Sequence, residues 1–203
     1  MVFVAGAAAA GWMTHRDKAD GFQVASPSTW IVLPHSKAAA LRLAAALTRQ
    51  GKAHQAGLVR SYATDGWQNT PTRVFDAIVY PAPAVSPIAT DVLIDRRPLP
   101  PGTKADASTL RAAGNGIFDS LKSSSGVKMG TKKPLFVSLS GGNAAFMYGT
   151  VVASGFGGLK TGFVSYFLLG HGFIWQVELR TDSRYLGSTT PNFLRVAESF
   201  RMT

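Results

Sequence analysis

The tightest constraint on the fold is a hairpin pattern near the C-terminal end. Phe163 to Leu169 and Phe173 to Arg180 read as two strands joined by Gly170-His171-Gly172. In the second strand Phe173, Trp175, Val177 and Leu179 point one way, and Gln176, Glu178 and Arg180 the other. A strand repeats every two residues, so a slip of one residue would turn the whole apolar set towards water. That face needs a cover, and a helix is the expected one.

More strands surround this pair. Leu135, Val137 and Leu139 alternate with Phe136, Ser138 and Ser140, and Gly141-Gly142-Asn143 turns the chain into Phe146–Val152. Upstream, Phe22-Gln23-Val24 and Trp30-Ile31-Val32-Leu33 read as a pair of short strands around a turn at Pro27. Val74 to Tyr80 reads as a strand ended by Pro81. The prolines at 81, 83, 87, 98, 100 and 101 exclude regular helix, leaving an extended strand around Val92-Leu93-Ile94.

Helical spacing appears in four places. Ala40, Leu43, Ala44 and Leu47 share a face between Lys37 and Gln50, and Ala56, Val59 and Tyr62-Ala63 do so between Lys52 and Ala63. Asp106 is expected to cap a helix with Leu110, Ala113, Ile117 and Leu121 inward, weakened by Gly114 and Gly116. Thr190 is expected to cap the last helix, with Pro191 at its first position and Phe193, Ala197 and Phe200 inward. Hairpin-linked strands with helices before and after indicate an α+β fold, an antiparallel sheet covered by helices.

A chain of 203 residues is one domain at roughly 100–200 residues per domain. With 46% hydrophobic and 16% charged residues it is globular rather than disordered. The absence of cysteine excludes disulfides, thiolate metal sites and cysteine catalysis. Met1 to Met13 carries no charge, whereas Thr14-His15-Arg16-Asp17-Lys18 is polar. A bilayer needs about 20 apolar residues, so the run is too short to span one unaided. It reads as the end of a signal or anchor, as a buried or frayed segment, or as residues foreign to the protein. Residues 1–20 are therefore expected to form an apolar segment and linker, and 21–203 the domain. On this expectation a chain beginning at Asp20 folds, stays monomeric and loses little stability. An anchor would place the domain outside the cytoplasm, with a cytoplasmic location as the alternative.

Chemical fingerprints fail one by one. In Gly155-Phe156-Gly157-Gly158-Leu159-Lys160-Thr161, Leu159 separates the last glycine from the lysine, so a phosphate loop is not formed. His15, His35, His54 and His171 are scattered and make no metal pair. Glu178 and Arg180, two apart on one strand, read as a surface ion pair. Ser138 and Ser140 would be nucleophiles only beside a base. No catalytic residue, cofactor or metal is expected.

Charge is the remaining signal. Twenty-one Lys+Arg against eleven Asp+Glu give +10. Lys128, Lys132, Lys133, Lys160, Arg180 and Arg184 fall at strand ends and are expected to converge on one rim, a candidate surface for a protein or other anionic partner. Nucleic-acid binding usually adds exposed aromatics, and here the aromatics alternate inward.

Two stretches resemble a known family. Phe22-Gln23-Val24-Ala25-Ser26-Pro27-Ser28-Thr29-Trp30 resembles an opening F-x-V-x-x-P-x-x-W strand and turn, and the helix Pro191 to Phe200 a closing helix ending in Ser-Phe. Leu139 to Ala144 is similar to an L-x-G-x-x-A hairpin, and Trp175 to Glu178 to the penultimate strand. The order resembles the PsbP/Mog-like superfamily and its actinobacterial LpqN-type lipoproteins, over about Gly21 to Arg201. The resemblance implies a three-layer α/β/α sandwich around an antiparallel sheet. It also implies non-enzymatic work: binding a protein partner, assisting assembly or chaperoning an apolar segment. LpqN-type members carry a lipidated cysteine, which this chain lacks. The matching positions are packing positions, so no binding residue transfers.

Three functions compete: a binding or accessory domain at the cell envelope, a cytoplasmic chaperone-like adaptor with an apolar groove, and a serine-dependent hydrolase. An open apolar groove would favour the second and a buried serine–histidine bond the third.

Overall fold

The computed structural model describes residues 11–65, 71–80, 86, 88–152 and 158–203. In chain order its elements are β1 (Trp12–Asp17), β2 (Phe22–Pro27), β3 (Ile31–Val32), α1 (Lys37–Arg49), α2 (Ala53–Asp65), β4 (Arg73–Ile78) and β5 (Asp91–Pro98). There follow α3 (Ala107–Ser123), β6 (Val127–Met129), β7 (Leu135–Leu139), β8 (Gly142–Val152), β9 (Lys160–Gly170), β10 (Phe173–Asp182), α4 (Leu186–Ser199) and β11 (Arg201–Met202). An antiparallel sheet runs in the order β3-β4-β5-β10-β9-β8-β6, with β7 also on β8.

The hairpin that dominates the sequence forms at its centre. Phe173 pairs with Gly170 and Asp182 with Thr161. The turn is His171-Gly172, both with positive φ (54° and 80°). Such two-residue turns match the twist of the strands they join, and glycine takes that conformation without strain.

Alternation then sorts the sheet's two faces. On one, Val164, Tyr166, Leu168, Trp175, Val177 and Leu179 pack against Phe193, Val196, Ala197 and Phe200 at the end of the chain, so the expected helical cover is α4. On the other, Ala145, Met147 and Phe167 pack under Leu110 and Phe118 of α3, while Ile31, Leu33 and Ile78 pack under α1 and α2. The layers are α/β/α and the class is α+β. Gly114, expected to weaken α3, is what lets it dock: a Cβ there would lie 2.8 Å from that of Ala145.

Four expectations need correction. The strands around Pro27 do not pair with each other: β3 joins β4 in the main sheet, and β2 joins β1 and β11 in a second, three-stranded sheet. The last helix starts at Leu186, not after Thr190, so Pro191 lies inside it. Its missing N–H leaves the carbonyl of Gly187 without a helical donor, and Gly187 is exposed to solvent. Glu178 does not pair with Arg180: Arg180 turns to Asp91 across the strand pair. Residues 14–20 are no linker either.

Residues 12–17 pair with 22–27 in register, and Trp12 packs on the α4 core with the Arg195 guanidinium 4.3 Å from its ring centroid. The His15 ring lies tilted against Phe75, with centroids 5.6 Å apart. Residues 1–10, most of the apolar run, lie outside the described residues. A chain beginning at Asp20 would lose β1 and uncover the edge of β2 and the rim of Phe75. It is expected to lose more than about 2 kcal/mol in urea unfolding, as removal of a packed strand does. An unchanged midpoint would show that β1 adds nothing.

Candidate functional site

The α3 face of the sheet is not uniformly apolar. Its helices cover the two ends, α3 over β8 and β9, and α1–α2 over β3 and β4. Between them β4, β5 and β10 turn polar side chains to the same face. Cross-strand partners point the same way, so Asp95 and Gln176, Leu93 and Glu178, and Asp91 and Arg180 form successive rows.

Each buried aspartate on this face has a cation. Arg73 reaches Asp76 at 3.0 Å and Asp95 at 2.7 Å. Arg180 Nη2 donates to Asp91 Oδ2 at 2.6 Å and its Nε to Oδ1 at 3.3 Å. Burial works against the charge on Arg180, but Asp91 beside it more than offsets this, and its pKa is raised. Tyr62 of α2 closes over Asp91, its phenol pushed well up by burial and then by that carboxylate. One row further, Asp182 accepts from Ser86 and from Arg184, whose hydrogen bonds hold its pKa well down.

Beside α3 this polar strip opens into a cleft of about 540 Å³. Its floor is Phe163, Phe167, Gln176, Glu178 and Arg180; Ile117 and Leu121 of α3 form one wall, and Arg97 stands at the mouth. Glu178 Oε2 accepts from Ser165 Oγ and, at 2.6 Å, from Gln176 Nε2. Burial raises the pKa of Glu178, and these donors partly offset it. The sequence reading missed this cleft. The alternation in β10 was visible, but a polar strand face reads as solvent until the element across from it is known.

The six proposed surface cations do not form one rim. Arg180 lies in the cleft and spends two donors on Asp91. Arg184 bonds Asp182. Lys128 and Lys160 alternate with Val127 and Thr161, which line the cleft, so they point to the opposite face. Lys132 and Lys133 protrude where β6 and β7, both paired to β8, leave a looped interruption between them. Of the glycine loop before Lys160, residues 155–157 lie outside the described residues.

The serines resolve differently from expectation. Ser138 Oγ donates to Asn143 Oδ1 and Ser140 Oγ to Glu198 Oε2, both at the surface and without histidine. A serine–histidine bond does occur, between Ser26 Oγ and His15 Nε2 at 2.9 Å. Ser26 is 1% exposed, so no substrate reaches it. Among the described residues no group of three His, Asp or Glu side chains could hold a metal, and no helix is long and apolar enough to cross a membrane.

No protein-family model and no curated protein matches the chain. Solved structures do. The solution structure of cyanobacterial PsbP from Synechocystis sp. PCC 6803 superposes with a TM-score of 0.51 at 11% identity, covering 100% of this chain and 98% of that one. LpqN of Mycobacterium tuberculosis, involved in cell envelope biogenesis, superposes with a TM-score of 0.56 at 12% identity, covering 98% and 87%. At such identities the likeness is one of fold. The chain shares the fold of these two proteins.

Proposed function

We propose that this chain is a non-catalytic binding or accessory domain of the cell envelope that recognises a protein or other anionic partner through its basic surface. The observation that carries this reading is where the fold puts its acids. Asp76, Asp91, Asp95 and Asp182 are buried and Glu178 lies in the cleft, so that only Asp106, Asp119 and Glu198 are exposed among the described acidic residues. All nine lysines are exposed, and none has a carboxylate partner among the described residues. The outer surface is therefore more one-sided than the net charge of +10 conveys, even though Arg73 and Arg180 are drawn inward with their aspartates. Such a surface draws in acidic partners and speeds their encounter. The fold shared with LpqN, an envelope protein by its description, supports the location. The cleft is not the wholly apolar groove that an adaptor for apolar segments needs, because Gln176, Glu178 and Arg180 share its floor with Phe163 and Phe167.

Poly-glutamate and vesicles of phosphatidylglycerol are the test partners. Binding to at least one is expected, weakening steeply as ionic strength passes about 0.1 M, where the Debye length falls below about 10 Å. Lys132→Glu with Lys133→Glu is expected to weaken it further at an unchanged melting temperature, since both side chains are exposed. Binding indifferent to salt and to the double reversal, or no binding to either probe, would overturn the reading.

A further inference from the structure

We infer that the cleft between α3 and β10 is a binding site for a small amphipathic anion, an apolar body carrying one carboxylate or phosphate group. The site is separate from the exposed lysines and does not depend on the reading given to them.

Size sets the first limit. At about 540 Å³ the cleft is within the range of roughly 300–1,000 Å³ that holds small organic ligands, and too small for a folded partner. Its two sides differ in chemistry. Ile117, Leu121, Val127, Val151, Phe163 and Phe167 give an apolar side along α3, β6, β8 and β9. Gln176, Glu178, Arg180 and Arg97 give a polar side along β10 and the end of β5. An apolar ligand would strip water from the polar side without replacing its hydrogen bonds, and a fully polar one would gain nothing from the aromatic side.

Free donors decide the sign of the head group. Asp91 engages Nε and Nη2 of Arg180, leaving Nη1 with no acceptor among the described residues. Arg97 is exposed at the mouth and has no carboxylate partner among the described residues. Gln176 directs its amide N–H to Glu178, and both donors to Glu178 fall on Oε2. Two guanidinium groups therefore present unused N–H donors to one cleft, a geometry that suits planar carboxylate or tetrahedral phosphate oxygens. Glu178 does not reverse this preference. Its Oε2 is already occupied by Ser165 and Gln176, and burial works against its charge, so it competes less with an incoming anion than a free carboxylate would.

The experiment titrates the full chain by calorimetry with decanoate, decyl phosphate, decanol and decyltrimethylammonium, all as monomers in solution. Decanoate or decyl phosphate is expected to bind in the sub-millimolar range, and the stronger of the two identifies the head group. Decanol and the cation are expected to bind at least about tenfold more weakly, the order expected for losing one charge-assisted bond. Gly116 lines the α3 wall, and a Cβ there would meet no atom within 4 Å, so Gly116→Phe fills the cleft without a backbone clash. It is expected to abolish binding at an unchanged melting temperature. Arg180→Lys keeps a cation opposite Asp91 but removes Nη1, and is expected to weaken the anions alone. Should that variant not fold, Arg97→Glu makes the same test on an exposed side chain. Equal binding of decanoate and the cation, undiminished binding by Gly116→Phe, or no binding of either anion would overturn the inference.

Discussion

Replacing Trp175 with alanine is expected to destabilise the protein by about 3–5 kcal/mol in urea unfolding, the range for a large aromatic removed from a core. Trp175 is 1% exposed on the α4 face of β10. Its ring centroid lies 5.5 Å from Phe200, 6.1 Å from Phe22 and 6.0 Å from Phe173. It thereby joins the main sheet, the closing segment of the chain and the small second sheet. Its Nε1 donates to the carbonyl of Gly170, and Arg96 lies over the ring at 5.7 Å while holding Asp20 at 2.9 Å. Truncation leaves a cavity that backbone from three separate elements cannot close. Leu194→Ala, on the exposed side of α4, is the control and is expected to cost under about 1 kcal/mol. A loss under about 1 kcal/mol for Trp175→Ala itself would show that this face is not the core.

Arg73→Met is expected to cost about 3–5 kcal/mol at neutral pH, chiefly the penalty for leaving the buried Asp95 carboxylate without its cation. Its guanidinium serves Asp76 and Asp95 together, and no other cation has an ion pair with either among the described residues. Asp76 is fully buried, and its Oδ1 has no hydrogen-bond partner among the described residues. Burial first, and then the nearby Asp91 carboxylate, raise its pKa from an ordinary 3.8 to about 8, against the pull of Arg73. The folded chain therefore holds a proton that the unfolded chain releases above pH about 4. By linkage, stability present at low pH falls as pH rises from about 4 through about 8. Asp76→Asn is expected to flatten that slope, and Arg73→Met with Asp76→Asn to lose less than Arg73→Met alone. Unfolding midpoints at pH 5 and pH 8 read both effects. Equal slopes for parent and Asp76→Asn would show that Asp76 is ionised throughout.

These two residues mark how differently the fold and the site could be read. Trp175 belongs to an alternation that spans one strand, and such a pattern is complete within a few residues of sequence. The same holds for the Asp106 cap, whose side chain accepts from Thr109 N, and for the inward face of α3. Arg73 and Arg180 gave no comparable signal. Arg73 has Asp76 three residues on, but its other partner Asp95 is 22 residues away, and Asp91 is 89 residues from Arg180, with nothing near Arg180 in sequence to foretell it. Glu178 and Arg180 stand two apart, which suggested a pair with each other. A carboxylate with a nearer donor across the strand pair, and a guanidinium with a better-placed acceptor, had already been taken up.

The sequence by itself determined most of the strands, their facing, most of the helices and the α+β class. Each depends on the period of a local pattern, and a strand that exposed its apolar residues would forfeit their burial. Only the tertiary structure decided that β1 is a strand of the domain, that the helices stop short of each other over the sheet, and that the acids are withdrawn from the surface. A charge's surroundings are set by whatever lies across from it, so the cleft and the one-sided surface both come from contacts between distant segments. Trp12, Asp91 and Glu178 are ordinary residues in sequence and acquire their roles only when β2, Arg180 and α3 are brought against them.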